Sequence, residues 1–101
     1  MKLMTKEIAS KLPPIGSTET QQDPLVVCKF FDPCGSWTWF VLEGNLETGE
    51  LFGLVHGFEK EMGYFDLNEL QGIKGRLGLG LERDRSWKPV PLSKVKSGEV
   101  S

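Results

Sequence analysis

The sequence predicts an α+β domain: an antiparallel sheet of four to five strands with an N-terminal helix and a short second helix packed on it. Three observations carry this. Strand-forming residues fall in short runs between Leu25 and Val55, separated by turns bearing glycine and proline. Two brief amphipathic stretches, opening at Thr5 and Asp66, carry helix-start signals. The chain of 101 residues suffices for one hydrophobic core and is too short for two, which predicts a single domain over 1–101.

Thr5 suits the N-cap of a helix over residues 5–12, with Glu7 in its first turn and Ile8 and Leu12 one turn apart on one face. Pro13 and Pro14 end it, because proline lacks the N–H and restricts the residue before it. Residues 15–24, IGSTETQQDP, are polar and without period, hence a loop. Leu25–Phe31 is the first strand, closed by the turn Asp32-Pro33-Cys34-Gly35. In the second, Trp37–Glu43, alternation sends Trp37, Trp39 and Val41 to one face and Thr38, Phe40 and Leu42 to the other. Both faces are apolar, so this strand is expected to be central, covered on two sides, with both tryptophans largely buried.

Gly44-Asn45 and Thr48-Gly49 mark a hairpin into a third strand, Leu51–Val55, and Gly63–Phe65 reads as a short fourth. A β-meander is the economical topology. Asp66 to Glu69 has the D-x-x-E form of a capping box for a helix over 67–71. Leu67, Leu70 and Ile73 form its apolar stripe, and Gly72 its stop. Leu81–Trp87 alternates as a fifth strand. After Pro91 the tail is polar, and residues 1–4 and 97–101 are expected to be loose.

Composition excludes several classes. With 39% hydrophobic and 10% aromatic residues and a net charge of −2, this is not a disordered chain. No apolar run approaches the ~20 residues of a membrane helix. The N-terminus carries charge where a secretory signal needs an apolar stretch, so a soluble, cytoplasmic protein is expected. The two cysteines, Cys28 and Cys34, and the one histidine, His56, do not have zinc spacing, and no metal or cofactor is expected. The glycine run G-I-K-G-R-L-G-L-G matches neither phosphate-loop pattern and follows a helix rather than a strand. Glu59 and Glu61 lack calcium-loop spacing, and no G-x-S-x-G or H-E-x-x-H is present. A catalytic role is not expected. The aromatic strands carry only Lys29 among their aromatics, which suits core packing better than base stacking.

Charge is uneven along the chain. Residues 43–70 hold seven acids (Glu43, Glu47, Glu50, Glu59, Glu61, Asp66, Glu69) against Lys60, a net of −6. Residues 71–101 hold seven bases (Lys74, Arg76, Arg83, Arg85, Lys88, Lys94, Lys96) against three acids, a net of +4. Such a dipolar chain either pairs its halves across the fold or meets a charged partner. The candidate partner-binding residues are therefore Glu59, Glu61, Asp66 and Glu69 on the acidic side, and Lys74, Arg76, Arg83 and Arg85 on the basic side.

The stretches M-K-L-M-T-K-E-I-A-S-K-L-P-P, K-F-F-D-P-C-G-S-W-T-W-F, G-Y-F-D-L-N-E-L and G-L-G-L-E-R-D resemble a short domain-of-unknown-function family. That family is carried on bacterial plasmids, integrative elements and phages. The resemblance runs from Met1 to about Val95 and implies counter-defence: a non-enzymatic anti-CRISPR protein that inhibits the type II RNA-guided DNA nuclease by direct binding. Carboxylates of residues 43–70 could then face the arginine-lined groove that reads the short motif beside the target. The alternative is a nucleic-acid-binding accessory protein of plasmid maintenance or transfer, in which the basic third works instead.

Overall fold

Strand order in the main sheet follows from where the apolar residues lie. A computed structural model describes residues 2–74 and 78–101. Its elements are α1 (Lys6–Lys11), β1 (Leu25–Val26), β2 (Cys28–Phe31), β3 (Thr38–Asn45), β4 (Glu50–His56), β5 (Lys60–Asp66), α2 (Leu67–Gly72), β6 (Glu82–Arg83), β7 (Val90–Pro91) and α3 (Leu92–Lys96). The main sheet runs β5-β4-β3-β2-β6, with every neighbour antiparallel, and β1 pairs with β7 in a small second sheet. The α+β class is as predicted. Strands β2 to β5 form the meander, and β6 returns to the outer edge of β2.

β3 is central because both its faces are apolar. Trp39 and Val41 enter a first core with Leu3, Met4, Cys28, Phe30, Leu51, Leu70 and Leu81. Phe40 and Leu42 enter a second core with Val26, Leu54, Leu92 and Val95. Ile8, Ala9 and Leu12 of the α1 segment cover the first core, while Trp87 and Val90 lie against the second. A register shift between Val41 and Glu43 makes Leu42 the extra residue of a β-bulge. Beside it the backbones of β3 and β4 come close: a Cβ on Gly53 would lie 1.9 Å from the Phe40 carbonyl oxygen, so only glycine fits there.

The helix signals are realised where capping is local. Thr5 accepts a hydrogen bond from Ile8 N–H (3.2 Å), and Asp66 Oδ1 accepts from Asn68 N–H (2.7 Å) and Glu69 N–H (3.2 Å). Asp32 closes its turn through Cys34 N–H and Gly35 N–H, as the D-P-C-G signal predicts.

Several expectations are corrected. Residues 3 and 4 are not loose: Leu3 and Met4 are buried, because Arg83 Nη1 donates to the carbonyls of Lys2 (2.8 Å) and Leu3 (3.1 Å) and draws this segment over the sheet. The expected first strand divides at Val27, since Leu25 and Val26 pair with β7 while β2 pairs with β3. Trp37 is 37% exposed where Trp39 is 8%, because Trp37 precedes β3 and lies over the β4–β5 turn rather than under α1. Gly72 lies inside α2, whose C-cap is Ile73, and Ile73 is exposed rather than part of the stripe. β5 starts at Lys60, earlier than expected, and β6 keeps only the two residues that pair with Phe30 and Phe31. The polar tail contains α3, whose Leu92 and Val95 are buried one turn apart. Beyond it, Val100 N–H donates to Lys94 C=O (3.0 Å).

Candidate functional site

The acidic residues of the 43–70 segment meet different fates. Glu43 is only 1% exposed, which overturns its place in an acidic surface. Its carboxylate accepts from Gly16 N–H (2.6 Å), Thr18 N–H (2.8 Å) and the Thr18 hydroxyl, pinning the turn after Pro14. Burial pushes its pKa up, but those hydrogen bonds outweigh burial and hold the group below the usual glutamate range. Asp66 is half-buried and committed to capping α2, with Glu50 and Glu69 beside it around a shallow hollow next to Tyr64. Glu59 and Glu61 lie at the other end of β5 and are exposed. The four acidic candidates therefore form two pairs, separated by the length of a strand.

Glu59 and Glu61 stand beside aromatics. Together with Trp37, Val55, Gly57 and Phe58 they line a hollow of about 220 Å³. Gly57 N–H donates to Glu59 C=O (3.0 Å), closing a tight turn that leaves Phe58 at its tip, 94% exposed. Trp37 lies against this turn: a Cβ on Gly57 would meet its ring at 2.5 Å. The Phe58 ring stands edge-on to Trp37 at 5.4 Å, and Trp37 is 6.0 Å from Trp39. Sequence reasoning passed over Phe58, although a phenylalanine inside the polar turn H-G-F-E-K-E was the available signal.

The basic candidates do not form one patch. Arg76 lies outside the described residues, as do the neighbouring positions 75 and 77 of the glycine run. Lys74 is exposed and bridges to Gly80. Arg83 is half-buried and holds the N-terminal carbonyls, which is a structural task. Arg85 is exposed and shares with Arg83, Lys29 and Asp84 a cleft along the β2–β6 edge. There the Lys29 ammonium sits over Phe31 (5.7 Å) and Trp87 (5.9 Å).

Cys28 is buried in the first core, and desolvation pushes its thiol up to about 12, which makes it unreactive. Among the described residues, no group of three His, Cys, Asp or Glu side chains is placed to hold a metal ion. Nor is any described helix long and apolar enough to cross a membrane.

One bulged five-stranded sheet with a separate core on each face defines a small α+β domain. Residues 3–96 match the family model described as Protein of unknown function (DUF2958), and the chain belongs to that family. No curated protein and no solved structure matches it.

Proposed function

We propose that this is a non-catalytic binding protein whose working surface is the β4–β5 turn with Trp37, and whose partner is a cationic protein surface. One observation carries the reading: Phe58 is 94% exposed, stands edge-on to Trp37 and shares a hollow with Glu59 and Glu61. Holding a phenylalanine in water forgoes roughly 1.5–3 kcal/mol of burial. A binding role recovers that energy on contact. Arginine is the natural counterpart, since its guanidinium stacks on an aromatic ring and pairs with carboxylates at its edge.

The partner we propose is the type II RNA-guided nuclease, in keeping with the family resemblance. Its motif-reading groove is lined with arginine, and a protein occupying that groove blocks target recognition. With Glu43 buried and Asp66 and Glu69 a strand away, the fit is a local patch of two carboxylates and two rings rather than a replica of a DNA duplex.

The test is binding to, and inhibition of, a reconstituted guide-loaded nuclease. Phe58→Ala and the Glu59→Lys, Glu61→Lys pair should each weaken binding about 5- to 30-fold, an arginine contact of this kind being worth ~1–2 kcal/mol. Their melting temperatures should stay unchanged. Inhibition that survives both variants removes the site. A wild-type protein that leaves the nuclease fully active removes the partner. Loss of function on reversing Lys74 and Arg85, together with binding to bare nucleic acid, would establish the accessory role in plasmid maintenance instead.

A further inference from the structure

The open side of β5 is self-complementary, and we infer that two copies of this chain pair there, antiparallel about Gly63, to make one continuous ten-stranded sheet. The hydrogen-bond phase of β5 is fixed by its two ends. Gly57 N–H donates to Glu59 C=O, and Leu67 N–H donates to Gly49 C=O (2.8 Å), in the same register that pairs Gly53 with Gly63. Bonding alternates along an antiparallel ladder, so Glu61, Gly63 and Phe65 direct their backbone groups to β4. Lys60, Met62, Tyr64 and Asp66 therefore alternate the other way, toward the side where the sheet ends.

β5 carries charges at its ends but lacks two other usual protections of an edge strand. It has no proline, and its pairing to β4 runs without a shift from Asp66 to Lys60. Its outer surface is apolar at the middle, with Met62 39% and Tyr64 59% exposed. Tyr64 is already steadied by Phe52, whose ring is 4.8 Å away.

A two-fold axis at Gly63 sets Lys60 opposite the second copy's Asp66 and Met62 opposite its Tyr64, and each pair occurs twice. The Met62–Tyr64 pairs exchange backbone bonds across the joint and bury a thioether against a ring. At the outer pairs an ammonium meets a carboxylate. Asp66 caps α2 through Oδ1, and Lys60 Nζ, 3.4 Å from Lys96 C=O, retains further N–H groups. Gly63 faces Gly63 on the axis, with nothing within 4 Å of a Cβ there, so the backbones approach unhindered. Moving the axis to residue 62 sets Lys60 against Tyr64, and moving it to residue 64 sets Met62 against Asp66. Of these three, the axis at Gly63 alone matches charge and apolarity at the outward-bonding pairs, and it sets Glu61 opposite the second copy's Phe65.

Sedimentation of the full chain across a concentration series tests this. Wild type should sediment as a dimer, and Met62→Pro, which removes an outward N–H without touching the β4 ladder, as a monomer. Asp66→Asn keeps the cap and loses the charge pairs, so it should raise the dimer dissociation constant about tenfold. Gly63→Cys in a Cys34→Ser background should oxidise to a symmetric disulfide, because Cα atoms of a non-hydrogen-bonded pair lie about 4.5 Å apart. Glu47→Cys in the same background is the control and should cross-link no faster than random collision allows. If Met62→Pro fails to fold by circular dichroism, the Asp66→Asn shift and the Gly63→Cys cross-link decide. A wild-type monomer at all concentrations, or a Gly63→Cys variant no faster than the control, overturns the proposal, whatever other strand occupies the edge.

Discussion

The sheet's two faces are covered from opposite ends of the chain and fastened by different chemistry. The first, around Trp39, is closed by the N-terminal segment, which the half-buried Arg83 fastens by the Lys2 and Leu3 carbonyls. The second, around Phe40, is closed by β7 and α3. Its fasteners are the exposed Asp23 on the Ser93 amide (2.9 Å) and hydroxyl (2.6 Å), and the half-buried Trp87 Nε1 on the Val26 carbonyl (3.0 Å). A buried polar fastener leaves unsatisfied groups when removed, whereas an exposed one is replaced by water. With one guanidinium bonded to two carbonyls on the first face and a water-replaceable Asp23 on the second, the N-terminal cover should be the harder to open.

The largest expected effect is on the first face. Trp39→Ala should lower stability by about 4 kcal/mol in chemical denaturation, while Trp37→Ala should change it by under about 1 kcal/mol. Equal losses would erase the distinction between the two rings.

Next comes Glu43→Ala, at about 3 kcal/mol, since it strands two amides and a hydroxyl. The same carboxylate sets an acid dependence. Its folded pKa lies below its unfolded value, so its stabilisation is full above the ordinary glutamate range and fades as pH falls through the folded value. Glu43→Gln should flatten that acid limb of the denaturation midpoint. An unchanged limb would place the sensitivity elsewhere.

On the second face, Leu92→Ala should cost about 2 kcal/mol. Hydrogen exchange should show α3 amides opening before those of β3 and β4. Protection of α3 equal to that of the central strands would break the comparison.

The smallest effect belongs to Asp23. Hydrogen bonds from the Ser93 side chain and backbone hold its carboxyl below the usual range. Its contribution therefore also fades on acidification, but from a solvent-screened position. Asp23→Ala should raise α3 exchange rates with little change in global stability.

Legibility in the sequence follows the same division. The α1 cap, the Asp32 turn and the Asp66 cap are local contests among neighbouring residues, and the short-range signals of Thr5, Pro13 and Asp66 decide them. The central position of β3 was legible because alternation there is apolar on both sides. α3 was not, because Leu92 and Val95 are only two apolar residues in a polar tail and gain helical form by covering a core built from β3 and β4. Burial of Leu3 and Met4 depends on Arg83, 80 residues further on, which spacing does not reveal. The candidate site was half legible. Glu59 and Glu61 were singled out by charge, but the two rings that give them a context came together only when β4 turned back into β5. Counting Glu43 among surface acids failed because its partners lie in the loop read as featureless, IGSTETQQDP.

The three tryptophans also make the molecule its own optical instrument. Trp37 sits half in water, Trp39 beneath it in the first core, and Trp87 against Phe40 on the opposite side of the sheet. Emission from Trp37 should be accessible to iodide, while that of Trp39 should be blue-shifted and shielded. With their ring centroids 6.0 Å apart, the first two should also give a coupled signal in the near-ultraviolet circular dichroism spectrum. Opening of α3 should move the Trp87 signal alone. Occupation of the β4–β5 turn should quench or shift Trp37 alone. One unlabelled sample thus reports separately on surface, first core and second core.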